Sequence, residues 1–132
     1  MTVVVDASVV VAALLDTGPV GTWAERVLSA GPLAAPHLMP AEVANVLRRS
    51  AQSGDITADT ASLAHDDLLA LRVELFPYGP CAARAWELRR NVTTYDGWYI
   101  ALAESLGAEV ATLDARLPRA SGPRCGFLLP PG

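Results

Sequence analysis

The chain has 132 residues, of which 52% are hydrophobic and 18% are charged, and its formal net charge is −4. This composition excludes a disordered tail and indicates one compact domain covering residues 1–132. The negative charge also argues against a protein that binds nucleic acid by diffuse electrostatics alone.

All ten basic residues are arginine, because the sequence contains no lysine. A P-loop needs a lysine on the nucleotide phosphates, and Schiff-base enzymes need a lysine amine, so both classes are excluded. Receiver domains and many phosphatases with an aspartate nucleophile also use a lysine near their carboxylates. The absence of lysine therefore disfavours these competing acidic-pocket proteins as well.

The sequence favours a cytoplasmic protein with no membrane segment. No apolar stretch approaches the ~20 residues that a membrane helix needs, and no basic residue precedes the apolar N-terminal run. The two cysteines, Cys81 and Cys125, form no CxxC motif. We expect both to be free thiols.

Strands and helices alternate along the chain. Val3-Val4-Val5 predicts a buried first strand that ends at Asp6. Further strands are predicted at residues 33–35, 73–76, 110–113 and 127–129. Helices are predicted at residues 19–30, 40–52, 57–70 and 80–90, and from Thr93 or Thr94 to Leu106 with a stop at Gly107. This order predicts an α/β fold, with a short central parallel sheet of about four to five strands flanked by helices.

Four acidic residues stand where these segments begin or end. They are Asp6, Glu42, Asp96 and Asp114. Two follow predicted strands, at the sheet edge where open α/β folds bind ligands. Three interrupt or cap apolar segments, where an uncompensated carboxylate is costly to bury. A divalent cation would remove that cost, and with no zinc-like histidine spacing the oxygen donors favour magnesium or manganese.

Each acid also has a purely structural interpretation. Asp6 and Asp114 are good helix caps, and Glu42 is favourable at a helix start. Asp96 is the most specific of the four, because it opens a helix that is apolar on most sides and whose N-terminus favours the ionised carboxylate. We interpret its neighbours Tyr95, Trp98 and Tyr99 as core aromatics in preference to base-stacking residues.

Several polar residues accompany the acids. Ser8 follows Asp6 by two positions, where it can hold the carboxylate or a metal-bound water. Glu42, Asn45 and Arg49 project along one helix face beside an apolar stripe. That arrangement is typical either of a pocket lining or of a solvated edge.

In these segments the chain resembles the PIN-domain nucleases, and within them the VapC-type toxins of bacterial toxin–antitoxin pairs. The motifs that carry the resemblance are residues 3–8, 42–49, 95–103 and 112–114, in the family's order and at family-like spacing. The resemblance covers nearly the full chain. Gly97 departs from the alanine that family members often carry, and glycine costs a helix ~1 kcal/mol unless a close approach requires it.

The resemblance implies a metal-dependent endoribonuclease consisting of one PIN domain over residues 1–132. The residues that would hold magnesium or manganese are Asp6 and Asp96 as principal ligands, with Glu42 and Asp114 completing the cluster. The ion would lower the pKa of a bound water and stabilise charge on the phosphate. Ser8 and Asn45 would orient ligands or water, and Arg49 or Arg116 would contact substrate phosphate.

The resemblance also implies a cognate VapB-like antitoxin, an RNA substrate, and a homodimer or a toxin–antitoxin hetero-oligomer. Two other functions stay open on the sequence. One is another metal-dependent phosphohydrolase, either a DNA nuclease or a phosphatase, because fold and acids do not name the substrate. The other is a non-catalytic module whose acids serve partner binding.

Overall fold

The structure is a computed structural model that describes residues 1–132. One parallel sheet of five strands has the order β3-β2-β1-β4-β5. The strands are β1 (Val3–Val5), β2 (Leu33–Pro36), β3 (Glu74–Phe76), β4 (Glu109–Ala111) and β5 (Phe127–Leu128). The helices are α1 (Ala7–Leu15), α2 (Pro19–Ser29), α3 (Met39–Gln52), α4 (Ala58–Ala70), α5 (Ala82–Glu87) and α6 (Thr94–Leu106). The predicted α/β fold with a parallel sheet is confirmed.

The centre of the sheet is covered on both faces. Val4 and Val5 of β1 are fully buried, as are Val110 and Ala111 of β4. Because successive side chains of a strand point to opposite faces, neither face of these strands is open to solvent. Helix α1 packs against α2, α3 and α4, whereas α6 packs against β1, β2 and β4 and carries α5 on its side. This two-sided burial explains why the strands are continuously apolar.

Two predicted elements end earlier than the sequence indicated. The segment predicted as a helix over residues 80–90 begins with a 3₁₀ turn at Gly79–Cys81 and is α-helical only to Glu87. The chain turns at Leu88, whose side chain is buried and whose N–H bonds two successive carbonyls of α5. Strand β4 ends at Ala111, so Asp114 lies three residues beyond the strand and not at its last position.

Helix α6 begins and ends as its sequence predicts. Thr93 is its cap, with the hydroxyl accepting the N–H of Asp96 at 3.1 Å. Gly107 ends the helix in the left-handed region at a φ of 62°, a conformation that favours glycine. A Cβ at Gly97 would lie 3.2 Å from the carbonyl oxygen of Ala85. The close approach of α5 to α6 therefore accounts for the glycine inside the helix.

The aromatic residues near the start of α6 have different environments. Tyr99 is buried, with 3% of its surface exposed, and Trp98 is half-buried and meets Tyr78 edge to face. Tyr95 is 59% exposed, so its assignment to the core was wrong. It lies in the first turn of α6, in a shallow cleft beside Glu42 and Asn45 of α3.

Cys81 and Cys125 are free thiols, as expected. No single helix combines the length and apolar character needed to cross a membrane. Helices α1 and α2 meet those criteria only as a pair bent by 116°.

Candidate active site

Asp6 lies at the carboxyl edge of the sheet, directly after β1. Its N–H bonds the carbonyl of Ala111, the last residue of β4, at 3.0 Å. Its Oδ2 accepts two hydrogen bonds, from Ser8 Oγ at 2.8 Å and from Thr112 Oγ1 at 2.9 Å. Asp6 occupies the N-cap position of α1, as its structural interpretation predicts, but its carboxylate makes no capping bond to the helix. Its Oδ1 is left without a hydrogen-bond donor from the protein.

Ser8 and Thr112 tie Asp6 to the segment that follows β4. Ser8 Oγ accepts the N–H of Leu113 at 3.1 Å, and Thr112 Oγ1 accepts the N–H of Asp114 at 3.0 Å. Thr112 is fully buried. Sequence reasoning named Ser8 and missed Thr112. A feature of the sequence that could have indicated Thr112 is its hydroxyl within an apolar segment, two positions before Asp114.

Glu42 approaches the same region from α3. Tyr99 of α6 donates its phenolic hydroxyl to Glu42 Oε1 at 2.8 Å. Burial raises the pKa of Glu42, the bond from Tyr99 opposes that rise, and the charges of Asp6 and Asp96 add to it. Burial is also the main cause of the raised pKa of the Tyr99 hydroxyl. Tyr99 thus positions an acid, a role that core packing alone does not describe.

Asp96 connects the acids electrostatically. Its pKa is raised first by burial and then by the charge of Asp6, with a smaller contribution from Asp114; the Thr93 hydroxyl and the Arg116 charge oppose the rise. Its neighbours therefore disfavour the ionised form of a half-buried carboxylate. A bound cation would reverse that balance.

Asp114 differs from the other acids because it is already paired. Arg116 donates Nε to Oδ1 and Nη2 to Oδ2, both at 3.1 Å, and its N–H bonds Oδ1 at 2.9 Å. The Arg116 hydrogen bonds lower the pKa of Asp114. The Arg116 side chain is 89% exposed. An incoming phosphate can therefore reach it, in competition with Asp114.

The predicted site residues divide between two neighbouring clefts. A cleft of about 500 Å³ is lined by residues of α1 and α3 and of the segments that follow β1 and β4, among them Asp6, Ser8, Glu42, Asn45 and Arg49. A second cleft, of about 530 Å³, is lined by Asp96, Asp114 and Arg116. The two adjoin, since Leu113 lines the first and Asp114 the second. The α3 face is therefore a pocket lining and not merely a solvated edge.

Asn45 and Arg49, which line the first cleft, differ in their hydrogen bonds to the protein. Asn45 Oδ1 accepts a hydrogen bond from Arg48 Nε at 3.0 Å. Its amide nitrogen has no protein partner, and neither does the guanidinium of Arg49. The positive charge of Arg49 therefore lies at the cleft without an ion pair to an acidic side chain.

The donor chemistry of these acids fits a hard divalent cation. No three acidic, histidine or cysteine side chains converge closely enough to form a closed ligand set as they stand. However, Asp6 Oδ1 and Glu42 Oε2 accept no hydrogen bond from the protein. Glu42 and Asp96 are destabilised as anions by burial and by nearby carboxylates. Oxygen ligands of this kind suit magnesium or manganese.

Comparison with known proteins gives one consistent family. Residues 3–123 match the PIN domain. Ribonuclease VapC1 of Mycobacterium tuberculosis strain H37Rv is 40% identical over 127 residues, which span 96% of each chain. Ribonuclease VapC9 of the same strain is 36% identical over 129 residues, 98% of each chain.

Solved structures show the same fold. PAE2754 from Pyrobaculum aerophilum superposes with a TM-score of 0.71 at 25% identity, over 96% of this chain and 83% of that one. VapBC2 from Rickettsia felis, bound to a DNA fragment from its promoter, contains a chain that superposes with a TM-score of 0.73 at 16% identity. That match covers 99% of this chain and 100% of the other.

Proposed function

The chain belongs to the PIN-domain family, and we propose that it is an endoribonuclease of the VapC type, the toxin of a type II toxin–antitoxin pair. The observation that carries the proposal is the grouping of carboxylates at the carboxyl edge of the sheet. Asp6 keeps one oxygen free there. Burial raises the pKa of both Glu42 and Asp96, and the charge of Asp6 adds to the rise in each. The nearly full-length likeness to VapC ribonucleases supports the choice of RNA as substrate.

We place Mg²⁺ or Mn²⁺ among the four acids. Asp6 and Asp96 would be the principal ligands, and Glu42 and Asp114 would complete the cluster directly or through water. When bound, the ion supplies a water of lowered pKa and stabilises charge on the scissile phosphate. Cleavage of the phosphodiester is then a hydrolysis.

The surrounding residues have positioning and binding roles in this proposal. Ser8 and Thr112 donate to the same oxygen of Asp6, which fixes the carboxylate and leaves Oδ1 for the ion. Tyr99 orients Glu42 in the same way. Asn45 orients a ligand or water in the first cleft.

Two arginines would contact the substrate phosphate. Arg49 lines the first cleft without an ion pair. Arg116 would exchange part of its contact with Asp114 for a phosphate oxygen. Arginine suits this role because its planar guanidinium forms paired hydrogen bonds to phosphate.

The proposal includes the partners and setting of a VapC toxin. A VapB-like antitoxin would neutralise the enzyme by laying a peptide with a basic side chain across the four acids. The net charge of −4 favours such a partner. We further propose that residues 1–132 form one PIN domain, that this domain assembles as a homodimer or with the antitoxin as a hetero-oligomer, and that it acts on cytoplasmic RNA.

The test is cleavage of total cellular RNA by the purified protein free of antitoxin, with Mg²⁺ or Mn²⁺ and with EDTA. Asp96→Asn should abolish cleavage. The matched control is Asp59→Asn, which makes the same substitution at an exposed acid in the first turn of α4, and it should retain full activity. The expected result is a set of discrete RNA fragments. They should be absent when EDTA is added and absent with Asp96→Asn, and they should be present with Asp59→Asn.

Parallel assays with DNA and a phosphomonoester decide between this proposal and the other metal-dependent hydrolases. Turnover of either one, without RNA cleavage, would replace the ribonuclease by a DNA nuclease or a phosphatase. Inactivity on all three substrates would favour a partner-binding module. In that case Asp6→Asn should weaken antitoxin association while leaving toxicity unchanged.

A further inference from the structure

The second cleft carries an excess of cations beside two of the acids. Arg89, Arg90 and Arg116 line it together with Asp96 and Asp114. Arg116 is paired with Asp114, whereas Arg90 is exposed and has no ion pair or hydrogen bond. On a chain of net charge −4, three arginines at one cleft form a local path for a polyanion.

An exposed aromatic residue contacts one of these arginines. Trp86 does not itself line the cleft, and 60% of its surface is exposed. The guanidinium of Arg89 lies 4.6 Å from the centroid of its ring and donates to the Trp86 carbonyl at 2.9 Å. A large apolar ring held in place by a cation, and otherwise open to solvent, is a surface on which a nucleobase can stack.

The cleft also has apolar lining residues. They are Val92, Leu117 and Ala120, and Leu117 is buried. The arginines, the apolar lining residues and the nearby aromatic ring match the three parts of a nucleotide, which are phosphate, sugar and base.

We propose that this second cleft is a subsite for the unpaired RNA strand that flanks the scissile phosphate. Arg90 binds a backbone phosphate, and the Trp86–Arg89 pair stacks against one base. The inference rests on the proposed ribonuclease function and deepens it. Because Asp96 and Asp114 line the same cleft, a strand bound there runs directly into the carboxylate cluster.

The geometry selects unpaired RNA over duplex. In an A-form helix the bases are stacked on one another and cannot reach an external ring. Stacking on Trp86 therefore requires a loop, bulge or free end. The same ring accepts every base, so the subsite fixes strand geometry more than sequence.

The experiment measures binding of a fluorescently labelled single-stranded RNA by anisotropy in EDTA, where hydrolysis is prevented, across a salt series. Arg90→Gln should weaken binding and reduce the slope of log K against log salt by about 0.7, the value for one phosphate contact on a single strand. Trp86→Ala should weaken binding at least about fivefold with the slope unchanged. Duplex RNA should bind wild type and Trp86→Ala equally.

Two matched controls accompany these variants. Arg26→Gln removes an exposed, unpaired arginine that lines a different cleft, and it should bind as wild type does. Trp86→Phe keeps an aromatic ring and should restore most of the affinity. Both target side chains are exposed, and a thermal melt of each variant confirms that the fold is intact.

The outcomes separate this subsite from the proposed function. If wild type cleaves RNA but Arg90→Gln and Trp86→Ala bind as Arg26→Gln does, the subsite is overturned and the ribonuclease stands. If wild type neither binds nor cleaves RNA, both fail together. If it cleaves RNA with a raised KM and an unchanged kcat in both variants, the residues act in substrate binding, as proposed.

Discussion

Replacing Thr112 by valine removes one hydroxyl from a fully buried position and nearly preserves the side-chain shape. In the wild type that hydroxyl donates to Asp6 Oδ2 at 2.9 Å and accepts the N–H of Asp114 at 3.0 Å. The valine leaves Asp6 Oδ2 with the bond from Ser8 only. It also leaves the Asp114 N–H without its acceptor.

The size of the effect follows from these two losses. A hydrogen bond to a charged group contributes about 1.5–3 kcal/mol, and leaving a buried donor unsatisfied costs about 1–3 kcal/mol. Because Ser8 still holds Asp6, we expect Thr112→Val to lower the free energy of unfolding by about 2–4 kcal/mol. A carboxylate that is less firmly held also binds metal less well, so half-maximal cleavage should need about 10- to 100-fold more Mg²⁺.

Urea unfolding in EDTA measures the first quantity, and a Mg²⁺ titration of RNA cleavage measures the second. Thr112→Ser is the control: it keeps the hydroxyl and loses one methyl group, which should cost about 1 kcal/mol without changing the Mg²⁺ requirement. The reasoning is refuted if Thr112→Val unfolds within about 0.5 kcal/mol of wild type and needs no additional Mg²⁺.

Three further predictions concern stability. Gly21→Ala should cost about 3 kcal/mol or more in urea unfolding, because its Cβ would overlap the backbone carbonyl of Asp16. Gly79→Ala meets no atom within 4 Å and should be near neutral. Asp96→Asn should stabilise the metal-free protein at neutral pH, because burial and the charge of a nearby carboxylate raise the pKa of Asp96 and so penalise its ionised form; a lower melting temperature in EDTA would contradict this. Glu104→Gln should cost about 2 kcal/mol at pH 7. Burial raises the pKa of Glu104, but the hydrogen bonds from Arg84 and from the Arg124 N–H, together with the charges of these arginines, outweigh burial and leave the pKa lowered. The stability that Glu104 contributes is therefore complete above its ordinary pKa of 4.5 and is lost as the pH falls below that value. Unfolding curves at several pH values should show that loss in wild type and not in the variant.

The sequence by itself determined the elements whose causes are local. The β-branched run Val3-Val4-Val5 indicates a strand buried on both faces, which β1 confirms. Thr93 and Gly107 mark the ends of α6 because a hydroxyl cap and a left-handed residue act on the adjacent turn alone. The same local patterns predict that the four acids stand where helices or strands begin or end, and they also predict the α/β class.

Only the tertiary structure decided which groups hold the acids in place. Thr112 bonds Asp6 across 106 positions of sequence, and Tyr99 bonds Glu42 across 57. No periodicity or cap signal reports such a contact, because it depends on the order of strands in the sheet and on how α3 and α6 meet. The early end of β4 has the same origin, since the N–H of Leu113 bonds the Ser8 hydroxyl across 105 positions and does not continue a ladder. Local propensity therefore positions the acids at the edge of the sheet, whereas long-range packing fixes which of their oxygens are held and which stay free.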